Sequence, residues 1–133
     1  MHALTPRTHV VVIDHNPDLR VFFEDFFTEE RYQVTTLAES LEPAALSRLR
    51  PDVVLHDFTP ETAARDLNAM QRLLADRRTA TIPLVLCSAA IDIDRIPAVL
   101  GAPHVRVVRK PFALDDLLAA VGPQRPALSG VAD

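Results

Sequence analysis

The chain has 133 residues, about half of them hydrophobic, and a formal charge of −4. That length fits one domain with an adequate core, and an acidic balance without a basic patch argues against a nucleic-acid surface. No run of ~18 apolar residues and no basic-then-apolar leader is visible, and the single Cys87 can form no internal disulfide, so a cytoplasmic, soluble domain with no membrane role is expected.

Met1 to Thr8 reads as a loose lead-in and residues 9–121 as the folded domain. Val10 to Ile13 is a continuous apolar run, the pattern of a strand buried on both faces. It runs into Asp14 and His15, and then Asn16-Pro17 supplies an N-cap and a first-turn proline. Leu19, Phe22, Phe23, Phe26 and Phe27 follow at helical spacing and predict a core-facing stripe, which outweighs a role in binding an aromatic cofactor.

The pattern then repeats. Tyr32 to Leu37 predicts a strand, Pro43 to Leu49 a short helix, and Asp52 to His56 a third strand ending at Asp57. Thr59-Pro60 is expected to cap a longer helix with Ala63, Leu67, Met70 and Leu74 on one face. Leu84 to Cys87 predicts a fourth strand with Ser88 at its carboxyl end. Ile91 to Leu100 is weakly helical, and Pro97 requires any helix there to be short or late-starting. His104 to Val108 predicts a fifth strand, and Leu114, Leu117, Leu118 and Val121 a last helix with Asp115 and Asp116 in its first turn. The Pro- and Gly-containing tail, 122–133, is expected to be disordered.

Strands alternating with helices imply an α/β fold: a doubly wound, five-stranded parallel sheet covered on both faces, three layers in all. In such sheets ligands gather outside the carboxyl ends of the strands. Asp14, His15, Asp57, Ser88 and Lys110 all fall at that rim, whereas His56 points away from it by strand alternation and reads as a packed or capped histidine. Lys110 is the only lysine beside thirteen arginines, and a compact ammonium differs from a wide guanidinium fork in what it can approach.

Four stretches in this order, VVVIDHNPDLR, PDVVLHDFTP, IPLVLCSA and VVRKPF, carry a resemblance. From Val10 to Val121 the chain resembles the receiver domains of bacterial two-component response regulators, of the chemotaxis-regulator kind. The resemblance implies the flavodoxin-like receiver fold with strand order 2-1-3-4-5, and a regulatory domain in place of an enzyme. It implies that Asp57 accepts a phosphoryl group from a histidine kinase or phosphotransfer protein. Mg²⁺ would be held by Asp14, Asp57 and the backbone carbonyl of Thr59, with Lys110 pairing with the phosphoryl oxygens and Ser88 donating a hydrogen bond to the phosphorylated form. It also implies a cis bond between Lys110 and Pro111, and signalling to a downstream protein through the last strand and last two helices. A homodimer through the last helix is compatible with it.

The chain departs from the family at four places. His15 stands where relatives carry a second, metal-binding acid, and imidazole suits softer cations than Mg²⁺. Three readings of His15 stay open: a solvated loop histidine, a cation paired with Asp14 or Asp57, or a ligand to a softer metal. Val107 replaces the aromatic that relatives use as a rotamer switch. Pro60 comes one position early, with no following glycine. The fourth helix is broken near Pro97. These departures favour an alternative, a receiver-like interaction module that works without phosphorylation. A flavodoxin-type cofactor binder would need a phosphate-cradling loop after the first strand, and DHNPD is acidic and lacks glycine. A hydrolase would need a nucleophile elbow around Ser88, which is absent.

Overall fold

The computed structural model describes residues 7–90 and 92–122. The expectations for Met1 to Pro6, for Ile91 and for the tail beyond Gly122 lie outside the described residues. Five parallel strands pair in the order β2-β1-β3-β4-β5. They are β1 (His9–Ile13), β2 (Gln33–Leu37), β3 (Val53–Asp57), β4 (Leu84–Ser88) and β5 (Arg106–Arg109). The helices between them are α1 (Pro17–Glu29), α2 (Pro43–Arg48), α3 (Ala63–Ala75), α4 (Ile96–Val99) and α5 (Leu114–Val121).

Strand position decides composition. The three inner strands β1, β3 and β4 are buried at every residue, as unbroken apolar runs require. The edge strand β2 carries Gln33, Thr35 and Thr36 and is nowhere fully buried. On one face of the sheet Val10, Val12, Val53, Leu55, Val85 and Val108 pack against Phe23 and Phe27 of α1 and Leu117, Ala120 and Val121 of α5. On the other, Val11, Ile13, Val54, Leu84 and Leu86 pack against Leu46, Met70, Leu73, Ile93 and Ile96. Each fully buried Val, Leu, Ile, Phe or Met among them contributes about 1.5–3 kcal/mol of transfer free energy.

The Asn16 cap forms as expected: its Oδ1 accepts from the amides of Asp18 at 2.9 Å and Leu19 at 3.3 Å. The aromatic stripe of α1 needs correction, because only Phe23 and Phe27 are buried and Phe22 is 37% exposed. Five apolar positions span a wider arc than the sheet covers. The excess turns sideways: Phe22 stacks on Phe26 with ring centroids 5.8 Å apart and lies 6.2 Å from Phe112.

The turn after β3 also differs from expectation. Thr59 makes no side-chain cap; a 3₁₀ turn over Pro60–Thr62 comes first, and α3 starts only at Ala63. Strand β5 is displaced from the expected span, starting at Arg106 and reaching Arg109. The Pro97 prediction holds. Helix α4 is four residues long with the proline in its first turn, and Gly101 ends it at φ +69°, the left-handed conformation that glycine adopts without strain.

Candidate functional site

The rim at the carboxyl ends of β1, β3, β4 and β5 is where the polar residues meet. Asp14 leaves β1 with its amide bonded to the Leu37 carbonyl at 3.0 Å, which holds it in sheet register one residue longer. Its Oδ1 accepts from the Asn16 amide at 2.9 Å, and the Arg20 guanidinium donates to its backbone carbonyl at 2.8 Å. The start of α1 therefore clamps the acidic loop. Asp57 is the last residue of β3, paired in register with Cys87 of β4, and Ser88 follows one position on.

Both carboxylates are almost fully buried, at 3% exposure for Asp14 and 7% for Asp57. Such charges persist only when paired. Lys110 supplies the pairing: its Nζ donates to Asp57 Oδ1 at 2.9 Å and lies 3.7 Å from Asp14 Oδ2. The Lys110–Pro111 bond is cis, as the resemblance implied. The Lys110 amide donates to the Ser88 carbonyl at 2.8 Å, so β4 fixes the strand end that carries the ammonium.

Electrostatics follow from this crowding. Burial raises the Asp14 pKa, the Asn16 amide opposes that, and the Asp57 charge reinforces it. Burial works against the Lys110 ammonium, but the hydrogen bond and charge of Asp57 outweigh it and raise its pKa, so the cation is held through neutral pH. Cys87, behind the rim, is pushed up to about 12 mainly by burial and is no nucleophile.

His15 is brought to the same place. Its Nδ1 lies 3.5 Å from Asp57 Oδ2, with the ring 56% exposed. One donor atom each from Asp14, His15 and Asp57 falls within 4.8 Å of the others, the only such group of potential metal ligands among the described residues. The chemistry of this donor set fits a divalent cation: two carboxylates, plus an imidazole in the third position. Thr59 is nearby in the chain, and its carbonyl accepts from the Thr62 amide at 3.1 Å, which leaves one lone pair for a ligand.

Ser88 is fully buried, and its Oγ accepts from the Ala90 amide at 3.0 Å. Its hydroxyl proton is therefore free to be donated elsewhere.

The sequence reading missed Asp66. On α3 it reads as a first-turn acid on a solvated helix, yet it is buried, accepting from the Thr62 hydroxyl at 2.6 Å and the Thr59 amide at 3.3 Å. It thereby holds the short loop after Asp57. The S/T-x-x-x-D spacing is the only signal, and it is weak.

A cleft of about 180 Å³ runs from the rim down the side of the sheet between the β2–α2 loop and α3, lined among others by Asp14, His15, Asp57, Asp66, Ser40 and His56. His56 is packed as expected. Its Nδ1–H donates to the Asp57 carbonyl at 2.7 Å, so Nε2 carries a lone pair, and it has no hydrogen-bond partner in the protein. Burial lowers the His56 pKa below its ordinary 6.5. Protons then bind the unfolded chain first, so this contribution to stability is complete above about pH 6.5 and is lost as pH falls through the folded value. Urea titrations at neutral pH and near pH 5.5 are expected to show a loss for the wild type that is smaller in His56→Leu; equal losses would contradict the neutral buried ring.

Comparison with known proteins agrees with this fold. The family model of the response regulator receiver domain matches residues 10–122. Among solved structures, the chemotaxis protein CheY4 of Vibrio cholerae is similar with a TM-score of 0.70 at 19% identity, over 85% of this chain and 94% of that one. The receiver domain of a sensor histidine kinase of Pseudomonas aeruginosa, whose structure has a magnesium ion coordinated in the active-site cleft, gives 0.70 at 21% identity over 88% and 99%. A response regulator of Thermotoga maritima gives 0.63 at 24% identity over 89% and 95%. No curated protein sequence matches the chain.

Proposed function

Since the chain belongs to the response regulator receiver domain family, we propose that it is phosphorylated on Asp57 by a histidine kinase or a phosphotransfer protein. One observation carries the reading: the Asp57 carboxylate sits at a strand end with the only lysine of the chain 2.9 Å away. A carboxylate oxygen of Asp57 attacks phosphorus, the bond to the donor's imidazole nitrogen breaks, and the imidazole leaves with the electron pair. Such transfer needs alignment and charge neutralisation more than covalent help.

Lys110 supplies one fixed positive charge to the phosphoryl oxygens. Asp14, Asp57 and the Thr59 carbonyl are the oxygens that would hold Mg²⁺, as a relative does, and the cation when bound adds the remaining positive charge. Ser88, with its proton uncommitted, donates to the phosphorylated form.

Output would pass through protein contacts on the face made by α4, β5 and α5. That face shows Val99 at 59% and Leu114 at 46% exposure, large apolar groups suited to a protein partner. Val107 on β5, in place of the relatives' aromatic, leaves strand and loop displacement to carry the signal.

The test is intact-protein mass after incubation with a small acyl phosphate and a divalent cation. The wild type is expected to gain one phosphoryl group and Asp57→Asn none. A folded wild type that gains nothing with any cation would overturn the proposal and leave a receiver-shaped binding module.

A further inference from the structure

We propose that Asp14, His15 and Asp57 form a mixed oxygen–nitrogen site that binds a borderline divalent cation, of the cobalt, nickel or zinc class, in preference to Mg²⁺. The inference rests on reading this rim as the cation-assisted phosphorylation site, and it concerns which cation the rim accepts.

Geometry comes first. Two donors each ~2.0–2.1 Å from one ion stand roughly 2.8–3.0 Å apart at an octahedral angle and roughly 3.3–3.4 Å apart at a tetrahedral one. His15 Nδ1 and Asp57 Oδ2 are 3.5 Å apart, so a shift of a few tenths of an ångström brings both into one coordination sphere. The same separation is too long for a good direct hydrogen bond. The pair is therefore spaced for an ion more than for each other. The His15 ring is more than half exposed, so it can rotate and water can complete the shell.

Donor chemistry then sets the preference. Mg²⁺ takes oxygen ligands in near-ideal octahedral geometry and sheds its waters reluctantly. Here one carboxylate, Asp57, is already hydrogen-bonded to Lys110, whose charge also faces Asp14 at 3.7 Å. With a neutral imidazole as third donor, the formal sum is two negative charges against one positive, a weak pull on a strongly hydrated ion that binds through oxygen alone. A borderline cation gains what Mg²⁺ does not, a bond to imidazole nitrogen.

A second observation points to a ligand here. His56 and Ser40 also line the cleft that carries these donors, and the buried His56 Nε2 and Ser40 Oγ have no hydrogen-bond partner in the protein. Buried polar atoms are nearly always hydrogen-bonded, so two unpartnered ones on the wall of this cleft mark it as a place that a polar ligand or hydrated ion would complete.

Calorimetric titration of the full chain with Co²⁺, Ni²⁺, Zn²⁺ and Mg²⁺, without phosphodonor, tests this. One equivalent of Co²⁺ or Ni²⁺ is expected to bind the wild type more than tenfold tighter than Mg²⁺. Irving–Williams behaviour alone favours those ions at most sites, so the deciding arms are variants. His15→Ala is expected to weaken Co²⁺ and Ni²⁺ about 10–100-fold, and His15→Asp to strengthen Mg²⁺ by a similar factor while narrowing the ratio. The Co²⁺ visible spectrum should lose its nitrogen-ligand signature in both. Unchanged Co²⁺ affinity in His15→Ala, or an unchanged metal ratio in His15→Asp, overturns the inference. Phosphorylation of Asp57 without the preference overturns this inference alone; the preference without phosphorylation supports it and counts against the phosphoacceptor reading.

Discussion

Lys110→Ala is expected to slow phosphoryl transfer to Asp57 by about 10²–10³-fold, the scale at which one preorganised charge or donor acts on a developing oxyanion. The ammonium is 21% exposed and is the positive side-chain group placed directly between two carboxylates that are themselves buried. Lys110→Arg is expected to recover little, because a planar fork cannot occupy the point-like position between Asp14 and Asp57. Transfer rates from a small acyl phosphate measure both. A rate within threefold of wild type for either variant would remove Lys110 from the mechanism. Lys110→Ala should also be less stable at neutral pH, and the deficit should shrink in acid. Asp14, its pKa already raised by burial, then takes up a proton and the unpaired charge disappears.

The second large effect is on stability. Phe27→Ala is expected to cost about 3–5 kcal/mol, a loss comparable with much of a domain's whole stability. Phe27 is wholly buried and meets Phe26 and Tyr32 edge-on, with ring centroids at 5.2 and 5.4 Å. At this chain length the midpoint should fall by roughly 10–20 °C. Phe22→Ala, on the same helix but 37% exposed, should cost about 1 kcal/mol or less. Thermal melts of the two variants compare directly. Similar losses would mean that the stripe of α1 is buried as a unit and that the sideways Phe22–Phe26 stack carries core weight.

That contrast shows what periodicity can and cannot tell. The spacing of Leu19, Phe22, Phe23, Phe26 and Phe27 identifies a helix and the side that faces the sheet, yet it does not say how wide the sheet beneath is. The inner strands were legible because burial on both faces writes an unbroken apolar run. Strand β5 was less so: Arg106 and Arg109 lie at a sheet edge where charged stems can reach solvent, and its bounds move by one or two residues. Asp66 was hidden because a buried carboxylate and a solvated first-turn acid look alike in sequence; what distinguishes them is the short loop at Thr59 folding over α3. The meeting of Asp14, Asp57 and Lys110 was legible through a general property of parallel sheets, that loops at the carboxyl ends of neighbouring strands share one rim. The position of His15 against Asp57 Oδ2 was not, since an exposed loop imidazole has many directions available.

The central claim is that Asp57 is the residue that takes the phosphoryl group, and locating the group on the chain tests it most directly. After incubation with a phosphodonor, borohydride reduces an acyl phosphate on aspartate to homoserine, which peptide mass mapping places by residue. The expected result is a single modified position, Asp57, with Asp14 unmodified. An acid-labile phosphate on His15 or His56, or reduction at Asp14, would contradict it.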